Sequence, residues 1–378
     1  MEAEMFRFAD ALGPSKIIHV YEPSVGLKAV LVVDNVAKGP SLGGVRMAAD
    51  VSTEECVRLA RAMTLKNAAA DLPHGGGKAV LFGDPKMPKP QKAQLLRAMA
   101  QSLRNVEEYI FAPDMGTDEE CMAWVRDEIA RVVALPRELG GIPLDEIGAT
   151  GWGLSHVADV AVNYCDLRLA GARVAIQGFG AVGKHAARFL NQRGAVIVAV
   201  SDSQGTIHNA DGLDVGALLA HKALGKSVAA FAGGKPMSCD ALIDIACDVW
   251  IPGARPDVIH EDNVHRLKAK LVIEAANIPI TAAAEKILAA KGVLYVPDFI
   301  ANAGGVICAA MEYQGANEAS VFAAIEEKLR RNTEQVLQRV KRESLPPRQA
   351  AVELAVERVK KAMSFRRYSL FSTAPHCV

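Results

Sequence analysis

Two lysines twelve positions apart, Lys66 and Lys78, lie in the stretch "TLKNAAADLPHGGGKAVLFGDP" among alanines, glycines and apolar residues, with Asp71 the carboxylate between them. An ammonium in such surroundings must find an anion, snorkel to water or lose its proton. Leu59, Met63, Lys66 and Ala70 follow at helical steps, so Lys66 is expected to project from the apolar stripe of a helix. Lys78 follows three glycines, a segment whose lack of side-chain bulk lets backbone approach a ligand closely. The stretch is not a P-loop, because the GxxxxGK[ST] spacing is missing and Ala79 follows the lysine. A nearby cation would hold Lys78 partly neutral near pH 7, as a general base requires, against ~10.4 for an unperturbed lysine. The bland alternative is a pair of snorkelling or salt-bridged surface lysines. Downstream, "FAPDMGTDEE" offers Asp114, which by itself reads as a turn or helix-capping residue.

A second constellation is "ARVAIQGFGAVGKHAARFL", with Gly178, Phe179, Gly180, Ala181, Val182 and Gly183 in GxGxxG spacing between an apolar strand and an amphipathic helix. The first glycine permits a tight turn, the second lets backbone approach a pyrophosphate, and the third lets helix pack on strand. The helix N-terminus then receives phosphate charge without a lysine. A following strand ends in "AVSDS", which puts Asp202 24 residues after the first glycine, where it would accept hydrogen bonds from ribose hydroxyls. From 194 to 220 there is no Lys or Arg, which favours NAD over NADP as the cofactor. The alternative is a glycine-rich turn that binds nothing.

The elements that must position these residues fall into two patterns. The first part reads as strands "KIIHVYEPS" and "LKAVLVVDNVA" joined near Gly26. A helix follows from Ser52, where "STEE" offers an N-cap and early acids, with further helices over 89–105 and 117–134. From 172 onward, short β-rich runs alternate with alanine-rich helical stretches, which argues for a parallel sheet covered by helices. After about 318 the chain reads as helical, ending in a loose tail. The 378 residues therefore divide into a domain over 1–147, a nucleotide-binding domain over 148–330 and C-terminal helices over 331–378. Forty-three basic residues balance forty-three acidic ones, which argues against nucleic acid or a membrane surface as partner. The opening lacks the basic and apolar parts of a secretory signal, and no window reaches the ~18 apolar residues of a membrane span. Seven scattered cysteines with no CxxC argue for reduced thiols in a cytoplasm over disulfides or a metal site.

Taken in order, "GPSLGGVRM", "MTLKNAAADLPHGGGKAVLFGDP", "FAPDMGT", "ATGWG", "GFGAVG", "AVSDS", "EAAN" and "VPDFIANAGGV" resemble the glutamate/leucine/phenylalanine/valine dehydrogenase family. The resemblance covers about 16–330, and the "GLKAVLVVDN" opening looks most like the leucine and phenylalanine branch. It implies an α/β fold: a substrate and assembly domain, a Rossmann domain, an active site in the cleft between them, and last helices returning towards the first domain. It also implies a homo-oligomer. Lys66 would bind the substrate α-carboxylate. Lys78, with its pKa lowered beside Lys66, would be the base that activates water, and Asp114 would shuttle protons to the amino group. Gly43 and Gly44 of the "LGG" loop would line the site through backbone. Thr150 would hold the nicotinamide carboxamide, with Asn277 and Asn302 near nicotinamide and substrate. The implied reaction is NAD-dependent oxidative deamination of an L-amino acid to the 2-oxo acid and ammonia.

Glutamate enzymes of the family place a lysine before the first GG and a serine three residues after the valine of "NAGGV"; here those positions are Leu42 and Ala309. The implied side-chain pocket, Leu42, Ala112, Val306 and Ala309, is apolar and argues for a branched aliphatic or aromatic substrate. Pro113 and "MEYQ" are more similar to the glutamate branch, so glutamate dehydrogenase stays open as an alternative. A dinucleotide-binding regulator without turnover is a third reading, although both lysines and Asp114 are present.

Overall fold

The computed structural model describes residues 6–365, so the expected tail at the C-terminal end lies outside the described residues. The chain divides into two compact units. One comprises residues up to Pro143, Val306–Val321 and the part from Glu353 onward; the other comprises Leu144–Gly305 and Phe322–Val352. The chain thus passes between units four times, where the motif order suggests a single cut at 147/148 and a separate block from 331. The returns are held by contacts between residues far apart in the chain. Ala309 and Tyr313 complete an apolar cluster around Leu42, and Arg358 donates to the carbonyls of Ala68 and Ala69 at 3.1 and 2.8 Å.

In the first unit, β1 (Lys16–Glu22) and β2 (Leu27–Asn35) form an antiparallel hairpin turning at Gly26, whose φ is +70°. Then come β3 (Ser41–Ala48), α1 (Thr53–Ala69), β4 (Gly75–Phe82), α2 (Lys89–Ser102), β5 (Tyr109–Pro113) and α3 (Glu119–Glu128). The sheet order is β1-β2-β4-β3-β5, with β4 antiparallel to β2 and parallel to β3. Strand alternation sorts β2 cleanly. Leu27, Leu31 and Val33 pack with Met99, Phe111 and Met122 on one face, and Val30 and Val32 pack with Cys56, Ala60 and Val80 on the other.

Two glycine-rich stretches, one of which was expected to be a loop, are strands. "LGG" lies in β3 and "GGGK" begins β4. Their glycines are there for close packing. A Cβ on Gly75 would lie 1.7 Å from the Asn35 carbonyl oxygen, one on Gly76 2.0 Å from the Thr64 amide, and one on Gly77 2.9 Å from the Tyr109 ring. Helix α1 therefore rests almost on the backbone of β4. It starts at Ser52, whose hydroxyl accepts from the Glu55 amide, as a capping residue does. Its buried face is Cys56, Ala60, Thr64, Asn67 and Ala68, while Leu59, Met63 and Lys66 sit half-buried on its flank. Small and polar residues win the buried face because α1 packs so close to β4 that Gly76 has no room for a Cβ, a proximity which the 4-3-4 apolar stepping does not reveal.

The second unit begins with a one-turn helix, Leu144–Ile147, and α4 (Ala149–Ala161). There follow β6 (Arg173–Gln177), α5 (Ala181–Gln192), β7 (Val196–Asp202), β8 (Gly205–His208), α6 (Val215–Ala223), β9 (Lys235–Met237), β10 (Val249–Pro252), β11 (Leu271–Ile273), α7 (Ala282–Ala290) and β12 (Leu294–Val296). The order is β12-β11-β10-β6-β7-β8-β9. The five strands legible as β-rich runs, β6, β7, β10, β11 and β12, are parallel, while β8 and β9 extend the sheet antiparallel. From β6 the chain moves outward to β7 and later returns to β10 on the other side. That makes the carboxyl end of β6 a topological switch point of a Rossmann-type sheet, where such folds bind ligands. Helices α8 (Gly304–Tyr313), α9 (Glu318–Glu343) and α10 (Pro347–Ser364) complete the described chain. Among the described residues no helix is long and apolar enough to cross a membrane.

Candidate active site

Strand β4 carries Lys78, 5% exposed, on the face that meets α1. Its ammonium donates to Asp114 Oδ2 at 2.6 Å, and Arg46 Nε of β3 donates to the same oxygen at 3.1 Å. Arg46 also reaches Glu55 Oε1 at 2.6 Å. Burial alone would raise the Asp114 pKa. The Lys78 charge and hydrogen bond, together with the Arg46 charge, outweigh it and hold the carboxyl below its ordinary value. Asp114 owes its position to the turn after β5, where its amide donates to Thr117 Oγ1 at 2.9 Å and that hydroxyl donates to the Val45 carbonyl at 2.8 Å. It also owes it to Gly44, because a Cβ there would lie 2.7 Å from the Asp114 Cβ. The group facing Lys78 is thus a carboxylate, where a nearby cation was expected, and the two form an ion pair one hydrogen bond long. Lys66 sits on the half-buried flank of α1.

Arg46 was missed among the candidate residues, though it sits in "LGGVRM". Its signal is positional: four residues after Leu42 it shares that residue's strand face.

Leu42 and Ala309, both closed off from solvent, join Ile110, Val133 and Tyr313 in one cluster, with Ala112 and Val306 half-buried against it. The expected pocket residues therefore do come together, within the first unit. Gly43 backs directly on β4, since a Cβ there would lie 1.8 Å from the Gly77 carbonyl oxygen. Two polar side chains, His74 and Arg131, lie near this cluster, and the charge of Arg131 reaches its member Tyr313. His74 packs edge-on to Tyr313 at 6.0 Å, and burial holds its pKa down to about 4. Arg131, also buried, directs its guanidinium to the carbonyls of Tyr109, Leu103 and Arg104.

In the second unit the glycine loop has the shape a dinucleotide needs. Gly178 has φ +88°, and a Cβ on Gly183 would lie 1.8 Å from the Gly178 carbonyl oxygen, so helix α5 packs tightly on the turn. A Cβ on Gly180 would meet nothing within 4 Å, which leaves its backbone open to an approaching pyrophosphate. Phe179 is buried in the core, while Ala181 and Val182 form the first turn of α5. Thr150 packs at Gly304 and Gly305, where a Cβ on Gly305 would lie 3.3 Å from its Oγ1. Asn302 donates to Asn277 Oδ1 at 3.0 Å and to the Ala275 and Ala276 carbonyls, joining the "NAGGV" and "EAAN" motifs.

Asp202, the expected ribose acceptor, is held by groups of the protein itself. Lys222 donates to its Oδ2 at 2.6 Å, the Val228 amide to Oδ2 at 2.9 Å, Ser227 Oγ to Oδ1 at 2.9 Å and the Gln204 amide to Oδ1 at 3.0 Å. Burial would raise this carboxyl, but the Lys222 hydrogen bond and the amides bring it down to about 2. Both oxygens are engaged within the protein. The cation-free stretch over 194–220 ends two residues before Lys222, and α6 carries that lysine back to the end of β7. Charge repulsion of a 2′-phosphate by Asp202 is therefore weaker than the sequence implies.

Comparison with known proteins bears on both units. Residues 14–131 match the model of the Glu/Leu/Phe/Val dehydrogenase dimerisation domain, and residues 140–367 match that of the Glutamate/Leucine/Phenylalanine/Valine dehydrogenase. The chain is 39% identical over 355 residues to the glutamate dehydrogenase of Aeropyrum pernix, covering 88% of this chain and 85% of that one. It is 35% identical over 353 residues to the NADP-specific glutamate dehydrogenase of Saccharolobus shibatae, covering 88% and 83%. Its structure is similar to the hetero-hexameric glutamate dehydrogenase of Thermus thermophilus in its Leu-bound form, with TM-score 0.81, 29% identity and coverage of 94% and 91%. The relatives carry glutamate names, so they do not support a specific kinship with the leucine and phenylalanine branch. With both family models matched in order and a Rossmann sheet in the second unit, this chain belongs to the Glu/Leu/Phe/Val dehydrogenase family, the amino-acid dehydrogenases that oxidise CH–NH2 donors.

Proposed function

We propose that the protein catalyses reversible oxidative deamination of an L-amino acid with an apolar side chain. The observation that carries the side-chain preference is that the apolar side chains of Leu42, Ala309, Ala112 and Val306 come together in one cluster. A substrate carboxylate set against Leu42 would be desolvated without a partner, a heavy penalty. Lys66 holds the α-carboxylate. Lys78 takes the proton of the water that attacks the iminium carbon, and Asp114, 2.6 Å away, relays protons to the departing amino group. Arg46 keeps Asp114 ionised and in place. A bound nicotinamide would supply the two-electron oxidation at Cα, with the loop from Gly178 to Gly183, Thr150, Asn277 and Asn302 holding it. NAD is our first reading of the cofactor; the Lys222–Asp202 pair and an NADP-specific relative support NADP as the second. A dimerisation-type first domain and a hexameric neighbour support an oligomer of this chain. Free thiols at the described cysteines fit a cytoplasmic setting.

A second substrate reading, glutamate, is supported by the names of the relatives better than the apolar one is. It requires a cation outside the Leu42 cluster. A panel of L-amino acids assayed with NAD and with NADP separates the two. Turnover of leucine, valine or phenylalanine well above glutamate supports the pocket reading, and the reverse ranking sinks it. In the same assay Leu42→Lys should cut turnover of an apolar substrate by about tenfold to 200-fold. If Leu42→Lys leaves that rate intact, Leu42 does not line the substrate site.

A further inference from the structure

Helices α5 and α6 enclose a cavity of about 300 Å³ lined by Lys184, His185, Arg188, Leu219, Lys222 and Ala223. Four of these six residues are basic or can be, and no carboxylate is among them. Lys184 and Arg188 make no ion pair among the described residues, although nearly every other partly buried cation of this unit has one. Arg188 instead donates to the Ile147 carbonyl at 3.4 Å and lies over the Phe189 ring, leaving its buried Nε without a hydrogen-bond partner. His185 is 7% exposed, and its Nε2 is likewise buried without a partner. Gly148 and Gly151 hold the ring in place, since a Cβ on either would lie within 2.6 Å of the His185 side chain. Lys222 is the remaining cation, shared with Asp202. Burial, with the charges of Arg188 and Lys184 added, keeps His185 neutral at pH 7 by pulling its pKa to about 4, so it serves there as a hydrogen-bonding group.

Cations gathered around a cavity repel one another and gain most from a compact, doubly charged anion that several donors reach together. We propose that this cavity binds a phosphate-group dianion through Lys184, Arg188 and Lys222, with His185 as a neutral hydrogen-bonding wall. Lys222 links the cavity to the end of β7, where a dinucleotide's adenosine ribose would lie, so the phosphate has two possible sources. It is either the 2′-phosphate of NADP, which rests on the dinucleotide reading above, or the phosphate of a free metabolite, which does not.

The test is calorimetric binding of inorganic phosphate, NADPH and NADH to the full chain, the wild type beside Arg188→Gln and Lys184→Gln, with Arg188→Lys as the charge-conserving control. Each glutamine variant should weaken at least one phosphate-bearing probe by roughly tenfold, with Arg188→Lys close to wild type. Weakening of NADPH with NADH unchanged identifies the 2′-phosphate; weakening of inorganic phosphate with both dinucleotides unchanged identifies a free phosphate ester. Affinities within about twofold of wild type for all three probes overturn the site. Equal weakening of NADH and NADPH also overturns it, because that pattern reports damage to the nucleotide unit. Binding needs no turnover, so failure of the amino-acid assay would count against the proposed reaction and leave this result standing.

Discussion

Replacing Lys78 with alanine should lower turnover of the preferred amino acid by about 10²- to 10⁴-fold, the range a positioned general base contributes. NADH affinity should stay near wild type, because Lys78 belongs to the first unit and the glycine loop to the second. The fold should survive the change. Asp114 keeps its contact with Arg46 at 3.1 Å, so the carboxylate left behind is still paired. Stopped-flow rates together with direct NADH titration separate the outcomes. A rate within threefold or so of wild type would assign Lys78 to a structural ion pair and leave the water without its base. Partial recovery on adding a small primary amine would tie the loss to the missing ammonium and not to a disturbed strand. Asp114→Asn is the companion variant. It should reduce the rate while leaving Lys78 in place, and the two losses should not add, since the residues act as one hydrogen-bonded unit.

Arg348→Leu should destabilise the second unit by about 3 kcal/mol or more, the largest stability effect expected of any single side chain here. Arg348 donates to Glu274 at 2.9 and 3.1 Å, to Asp298 at 2.9 Å and to Glu285, so one guanidinium serves three carboxylates. Removing it leaves Asp298 and Glu285 without their counter-charge and the fully buried Glu274 without its hydrogen-bond donors. Even with Arg348 present, burial and the neighbouring Asp298 and Glu285 outweigh the guanidinium and push Glu274 up to about 8. The sign follows. A carboxyl whose folded pKa lies above its unfolded value holds more protons when folded, so its contribution is complete below about 4.5 and is lost as pH rises through about 8. Denaturant midpoints should therefore decline over that window, and Glu274→Gln should flatten the decline. The Arg348→Leu deficit should shrink in acid, where the three carboxyls can protonate. A deficit below ~1 kcal/mol at pH 7, or one that grows in acid, would show that the cluster is solvated and weakly coupled.

Which features were open to a sequence reading depends on whether their cause is local. The hairpin of β1 and β2, the Ser52 cap, the turn at Gly26 and the glycine loop before α5 follow from alternation, capping chemistry and positive φ, all of which act within a few residues. The same holds for the five parallel strands of the second unit, and the ordered motifs were enough to point to the family. The rest depended on distant partners. That "LGG" and "GGGK" are strands follows from helix α1 and the neighbouring strands pressing against glycines that have no room for a Cβ. The buried face of α1 was decided by that same approach, which admits Cys56 and Ala60 and leaves Leu59 and Lys66 on the flank. Residues 306–321 join the first unit because Leu42, far earlier in the chain, needs Ala309 and Tyr313 against it. Asp202 looked like a free ribose acceptor until α6 brought Lys222 back to it, and Asp114 looked like a turn residue until β3 and β4 brought Arg46 and Lys78 to its carboxylate. The sequence by itself determined which chemical groups the protein carries and the local elements that hold them. Only the tertiary structure decided which charges meet, because ion pairing and close packing depend on distance in space and not along the chain.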